Sequence, residues 1–221
     1  MAEDLWNDVD AWLTGHLASP DEALEAALAA NEQAGIPAIN VAPNQGKLLQ
    51  LLARSIAART MLEIGTLGGY STIWLARALP PGGRLVTLEI DARNADVARR
   101  NIANAGLGDR VEVVLGPALD TLPRLQANGF GPVDFSFIDA DKQHNVEYVS
   151  WALALSRPGS LIVVDNVVRA GRVIDAASTD PSVQGTRRLF EFIAREPRLT
   201  ATALQTVGSK GYDGFLLARV E

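Results

Sequence analysis

Residues 60–71 read TMLEIGTLGGYS. TMLEIG is short and largely apolar, and it stops at a glycine, which is the pattern of a buried strand. Gly65, Gly68 and Gly69 crowd the next five positions, and residues 70–79 carry helical spacing. A strand, a tight glycine turn and a helix in that order open a βαβ unit. The same alternation continues downstream. RLVTLEI (84–90), RVEVVLG (110–116), VDFSFID (133–139) and SLIVVDN (160–166) are further strand candidates, with helical stretches at 92–106, 117–128 and 142–156 between them. Buried strands separated by helices of this length predict a parallel sheet covered on both faces.

The pattern changes after residue 180. DPSVQGTRRLFEFIAREP (180–197) reads as a helix, and TATALQTVG (200–208) and DGFLLARV (213–220) read as an antiparallel pair joined through SKGY. Upstream, the first sixty residues read as helical. SPDEALEAALAANEQAG (19–35) has Ser19 or Asp21 as a helix cap and Gly35 as its terminator, and NQGKLLQLLARSIAA (44–58) repeats apolar residues at helical spacing. The expectation is one α/β domain over 1–221, with a helical N-terminal extension over 1–59 and a mostly parallel seven-stranded sheet that ends in an antiparallel strand.

The composition of the 221 residues, 48% hydrophobic and 21% charged, is that of a globular chain with a substantial core. With no cysteine, and with only His16 and His144, thiolate and histidine-rich metal sites are excluded, so a metal would take oxygen ligands. A net charge of −6 argues against nucleic acid as a partner. The acidic start MAEDLWNDVDAWL lacks a basic and then apolar leader, and no apolar run is long enough to span a membrane. A cytoplasmic location without membrane association is expected. The 20 basic residues are 17 arginines and only Lys47, Lys142 and Lys210, so each lysine merits inspection.

In doubly wound sheets ligands bind outside the carboxyl ends of the strands. The residues at those ends are Glu63 and Gly65, then Glu89 and Asp91, Gly116, Asp139 to Lys142, and Asp165-Asn166. The glycine spacing is not the dinucleotide fingerprint, and an acid inside the turn would repel a phosphate. Glu63 suits an ammonium group, and Glu89, 26 residues further on, suits ribose hydroxyls. A nucleoside with an amino-acid tail, S-adenosylmethionine, fits both. Asp139, Asp165 and Asn166 supply two carboxylates and an amide oxygen, half of an octahedral shell for a hard cation. Lys142 stands beside them as a candidate base for a metal-bound hydroxyl. The plainer alternative for such a cluster is a set of strand-end caps and salt bridges.

Together, LEIGTLGGYST, LVTLEID, GPAL, FIDADK and VVDNVV resemble the cation-dependent O-methyltransferases that include caffeoyl-CoA and catechol O-methyltransferases. The resemblance runs from NVAPNQGKLL to GYDGFLLA. It implies a Rossmann-like S-adenosylmethionine-dependent methyltransferase fold and a homodimer. It places the cofactor on Val41, Glu63, Gly65, Thr66, Ser71, Glu89, Ala118 and Asp139. It gives the metal to Asp139, Asp165 and Asn166, commonly as magnesium with calcium or manganese as alternatives, and it makes Lys142 the general base. The implied acceptor is a small vicinal aromatic diol. Plant members carry Trp where Arg169 stands and Tyr where Asn145 stands. Arg169 or Arg172 thus becomes a candidate partner for a carboxylate on an acidic phenol, against the alternative of a surface charge. Lys210 and Tyr212 are candidates for the border of the site. The competing readings are a methyltransferase for a non-catechol acceptor, and an S-adenosylmethionine-binding regulator without turnover. DADK at the end of the fourth strand, where an NPPY-type run would favour amino-nitrogen methylation, weighs against the first, and retention of a base weighs against the second.

Overall fold

The computed structural model describes residues 2–221; Met1, the first residue of the expected extension, lies outside them. Five parallel strands come first: β1 (Thr60–Ile64), β2 (Arg84–Glu89), β3 (Val111–Leu115), β4 (Val133–Ile138) and β5 (Ser156–Asp165). A hairpin, β6 (Leu199–Gly208) and β7 (Gly211–Val220), completes the sheet. The spatial order is β3-β2-β1-β4-β5-β7-β6, and β7 runs antiparallel to both of its neighbours. The chain reverses its direction of growth between β1 and β4, which opens a crevice at their carboxyl ends.

Period-two alternation divides the strand residues between two cores. Met61, Leu85, Phe135, Phe137 and Val163 point to one face, while Leu62, Ile64, Val86, Leu88, Ile138 and Val164 point to the other. The first face is covered by α2 (Glu22–Gln33), α3 (Pro43–Ser55), α4 (Tyr70–Ala76) and α5 (Ala92–Asn104), through Leu24, Leu49, Ile73, Trp74 and Ile102. The second is covered by α6 (Ala118–Ala127), α7 (Asn145–Leu155) and α8 (Pro181–Ile193), through Leu122, Val149, Ala152 and Leu189. Burial on both faces explains why these strands read as nearly continuous apolar runs.

The helical N-terminus is more than an appendage. α1 (Ala2–Leu17) packs on β6, whereas α2 and α3 form part of the first core. α2 starts where Asp21 accepts the Leu24 N–H at 3.1 Å, the cap of the two that the sequence allowed. Its buried Asn31 meets Asn101 of α5 at 3.1 Å, and the Asn101 amide donates to Gly68 O at 2.9 Å. A Cβ on Gly68 would lie 1.8 Å from Asn31 Oδ1, so α2 presses directly on the glycine turn after β1. The N-terminal helices therefore shape the mouth of the crevice.

Among the boundaries that differ from the sequence expectation, three involve more than a shortened helix end. The helix expected over 142–156 opens with a separate 3₁₀ turn, Lys142–His144, before α7. β5 begins at Ser156 rather than Ser160, and β7 reaches back to Gly211 and leaves a two-residue turn at Ser209 and Lys210. The 3₁₀ turn is seated by α8, where a Cβ on Gly185 would fall 2.2 Å from Lys142 O. Gly185→Ala is therefore expected to lose about 1–3 kcal/mol by overpacking. Gly15→Ala, with nothing within 4 Å of the added carbon, should be neutral or slightly stabilising. Equal denaturant midpoints for the two variants would contradict this seating of the Lys142 turn.

Candidate active site

The crevice is a cavity of about 700 Å³ that runs along the carboxyl ends of the parallel strands. At its centre β1 and β4 approach closely. Asp139 N donates to Ile64 O at 2.9 Å, and a Cβ on Gly65 would lie 2.1 Å from Asp139 O. Gly65 also has a φ of +97°, which favours glycine. Two independent constraints thus select glycine at this position.

Glu89 organises the next part of the wall. Its Oε2 accepts the Leu67 N–H at 2.7 Å and its Oε1 accepts the Asp91 N–H at 2.9 Å. The first bond supports Leu67 in its left-handed conformation, φ +51°. One carboxylate therefore shapes the turn after β1 and faces the cavity, with lone pairs left for hydroxyl donors. Val41, Thr66, Ser71 and Ala118 also line the cavity, as do Gly65 and Asp139.

Glu63 is placed differently from the expectation of direct contact with a ligand ammonium. It is 0% exposed and lies behind the wall. Its carboxyl accepts Ser71 Oγ at 2.6 Å, Thr72 Oγ1 at 2.5 Å and Thr87 Oγ1 at 2.7 Å, and Thr66 Oγ1 lies 2.6 Å from Thr87 Oγ1. The side chain alternates toward the interior of the sheet, so it reaches the cavity only through Ser71 and Thr66. Burial pushes its carboxyl up to about 7, against the three hydroxyls and with help from the charge of Asp139.

The acid end is assembled by strand register. Ile138 pairs with Val164 between β4 and β5, so the next residues, Asp139 and Asp165, end neighbouring strands side by side. Lys142, only 7% exposed, places Nζ 2.7 Å from Asp139 Oδ1. Asp165 accepts the Asn166 N–H at 2.8 Å and a hydrogen bond from Gln45. Burial, then the charge of Asp139, pushes Asp165 up to about 7, against the opposing effect of Lys142. Asn166 turns the chain with a φ of +55° and lines the same cavity. The residues expected to hold the cofactor and the metal, and Lys142, therefore line this one cavity, with Glu63 one layer behind.

Several wall residues escaped the sequence reading. Gln45 comes from α3, where the sequence pattern shows only an amphipathic helix. Tyr148 lines the cavity and donates its Oη at 2.5 Å to Asp141, a member of the strand-end array that also lines the cavity and is engaged by His144 Nδ1. Asp213 reaches the wall from β7, a strand whose partner no local pattern identifies. Of the two border candidates, Lys210 lines the cavity, whereas Tyr212 directs its hydroxyl to Gln205. Arg169 lines the cavity and Arg172 does not, being paired with Asp180 at 2.8 Å.

Residues 16–220 match the O-methyltransferase family. A catechol O-methyltransferase of Mycobacterium tuberculosis is 56% identical over 213 residues, which cover 96% of this chain and 95% of that protein. Among solved structures, an O-methyltransferase from Bacillus cereus in complex with SAH superposes with a TM-score of 0.97 at 58% identity, covering 99% of each chain. TomG from Streptomyces achromogenes, an O-methyltransferase involved in tomaymycin synthesis and solved in complex with SAM, gives a TM-score of 0.97 at 51% identity, covering 100% of this chain and 99% of that one. The sheet and the crevice define a mostly parallel α/β methyltransferase architecture. The chain belongs to the O-methyltransferase family.

Glu63 has a measurable signature. Its ordinary value is 4.5 and its folded value about 7, so the native chain keeps a proton that the unfolded chain releases between them. This contribution to stability therefore falls as pH rises through that window and levels off above it. Relative to Glu63→Gln, the wild type should lose about 2–3 kcal/mol between roughly pH 5 and pH 7.5. Other titrating groups, Asp165 among them, cancel in the difference. Paired urea titrations check this, and parallel pH profiles would refute the buried, proton-holding role.

Proposed function

We propose that this chain transfers the methyl group of S-adenosylmethionine to one hydroxyl of a vicinal aromatic diol, with a divalent cation held by Asp139, Asp165 and Asn166. The observation that carries this reading is the side-by-side placement of Asp139 and Asp165 with Lys142 Nζ 2.7 Å from Asp139. The donor set suits a hard cation. Among the described residues no three Asp, Glu, His or Cys side chains converge as a metal site; the donors in this reading are two carboxylates and an amide. Burial, and after it the charge of Asp139, keeps Asp165 protonated to about 7, and a cation held there would relieve the repulsion between the two carboxylates. When bound, the cation supplies Lewis acidity that lowers the pKa of a diol hydroxyl, and magnesium is the simplest choice for an all-oxygen shell.

The remaining work belongs to the chain itself. Lys142 takes the hydroxyl proton at Nζ, and Asp139 holds that nitrogen at the cavity wall. Glu89 accepts from ribose hydroxyls while its backbone clamps keep it from turning away. Ser71 and Thr66, backed by Glu63, face the amino-acid end of the cofactor. Gly65 lets that end lie against the backbone. Because methyl transfer is a displacement between two bound partners, positioning accounts for much of the rate.

One catalytic unit spans the chain in this reading, since α3 and β7 contribute to the wall and α2 packs against the glycine turn behind it. Homodimerisation, expected from the resemblance, has candidate contact surface in the exposed Leu5, Val9 and Trp12 of α1. No described helix is long and apolar enough to cross a membrane. With S-adenosylmethionine and a small catechol, methylated product should form with magnesium, vanish with EDTA and return with added metal. Lys142→Met should lower kcat by about 10²–10⁴-fold. Turnover that is indifferent to chelation would overturn the metal assignment, and a fully active Lys142→Met would overturn the base. Mass spectrometry of the product reads both.

A further inference from the structure

The loop after β5 carries a cation that methyl transfer itself does not require. Arg169 lies three residues beyond Asn166 in a left-handed conformation, φ +57°. Asp213 Oδ1 accepts the backbone N–H of Val168 at 3.0 Å and of Arg169 at 2.9 Å, so the origin of the side chain is fixed. The side chain lines the cavity, and its Nε is buried without a hydrogen-bond partner. Among the described residues no carboxylate forms an ion pair with this guanidinium, whereas Arg172 nearby is consumed by Asp180. A buried N–H donor with no acceptor is costly and invites one.

A second cation faces the same space. Lys210, in the β6–β7 turn, lines the cavity and donates only to Ala38 O, at 2.9 Å. Burial disfavours its charged form, and no carboxylate restores it. The sheet places both cations at one end. β7 pairs antiparallel with β5, Asp165 opposite Phe215, so the start of β7 and the loop after β5 meet beyond the same edge of the crevice. Glu89 and Ala118 lie on the other side of β1. The acids at the Arg169 end have other partners: Asp139 faces Lys142, Asp165 accepts from Asn166 and Gln45, and Asp213 Oδ1 accepts two amides.

We propose that Arg169, with Lys210 on the same wall, binds a carboxylate carried by the methyl acceptor, so that the substrate is an acidic vicinal diol of the dihydroxybenzoate type and not a neutral catechol. The guanidinium fork matches a planar carboxylate. This deepens the reading of the crevice as a methyl-acceptor site and rests on it.

The test compares 3,4-dihydroxybenzoate with 3,4-dihydroxybenzamide, which differ in charge but barely in shape. Wild-type kcat/KM should favour the acid by about tenfold or more, mostly through KM. Calorimetric binding of the two compounds should show the same preference. Arg169→Met should remove most of that preference, Arg169→Lys should recover part of it, and Lys210→Met should reduce it. Equal use of acid and amide by the wild type overturns the proposal and leaves the methyltransferase reading intact. An Arg169→Met that lowers both substrates equally also overturns it. Methylation of neither diol, with S-adenosylmethionine and magnesium present, overturns the acceptor reading and the proposal together.

Discussion

The close approach of Gly65 to Asp139 is the contact on which the site depends. A side chain at Gly65 would collide with the Asp139 carbonyl, and the two strand ends would separate. Their separation would divide the crevice, because the glycine turn with Glu89 lies on one side and Asp139, Lys142 and Asp165 on the other. The backbone bond from Asp139 N to Ile64 O holds the two halves in register. Donor and acceptor of a transferred group must lie in line within a few tenths of an ångström, so this single main-chain contact bears on chemistry at both ends.

Around it the chain uses buried acids in three distinct ways. Glu63 is sealed beneath three hydroxyls and retains a proton up to about 7 because burial outweighs them. Glu89 is held by two backbone amides and presents its remaining lone pairs to the cavity. Asp165 is buried beside a second carboxylate and retains its proton for that reason as well. The residue type is nearly constant while the environment sets the role. A buried carboxylate surrounded by hydroxyls stiffens the wall, whereas one that shares a corner with another carboxylate holds its proton unless a positive charge offsets its neighbour.

Much of the site was legible because it lies at strand ends, and strand ends are visible as the points where apolar runs stop. Asp139, Lys142, Asp165 and Asn166 were found in this way, and Glu89 with them. Glu63 was legible as a residue but not as a position. Reading LEIGT does not reveal which face of β1 each side chain takes, and a shift of one residue exchanges interior for cavity. Gln45 and Asp213 were hidden for another reason. Each reaches the wall from an element that is distant in sequence, and in its own segment each is an ordinary polar residue. The choice between Arg169 and Arg172 was likewise undecidable until Asp180, at the cap of α8, was seen to claim one of them.

Sequence alone determined the alternation of strands and helices, the carboxyl-end array of acids and glycines, and the absence of cysteine. These follow from periodicity, composition and turn chemistry, which are local properties. Tertiary structure alone decided that β4 and β5 are neighbours, that α2 presses on the glycine turn, and that Glu63 stands behind Ser71. It also decided which arginine is left without a counter-charge. Those outcomes depend on which distant segments pack together, and packing is set by the combined shape of both cores and not by any one stretch of chain.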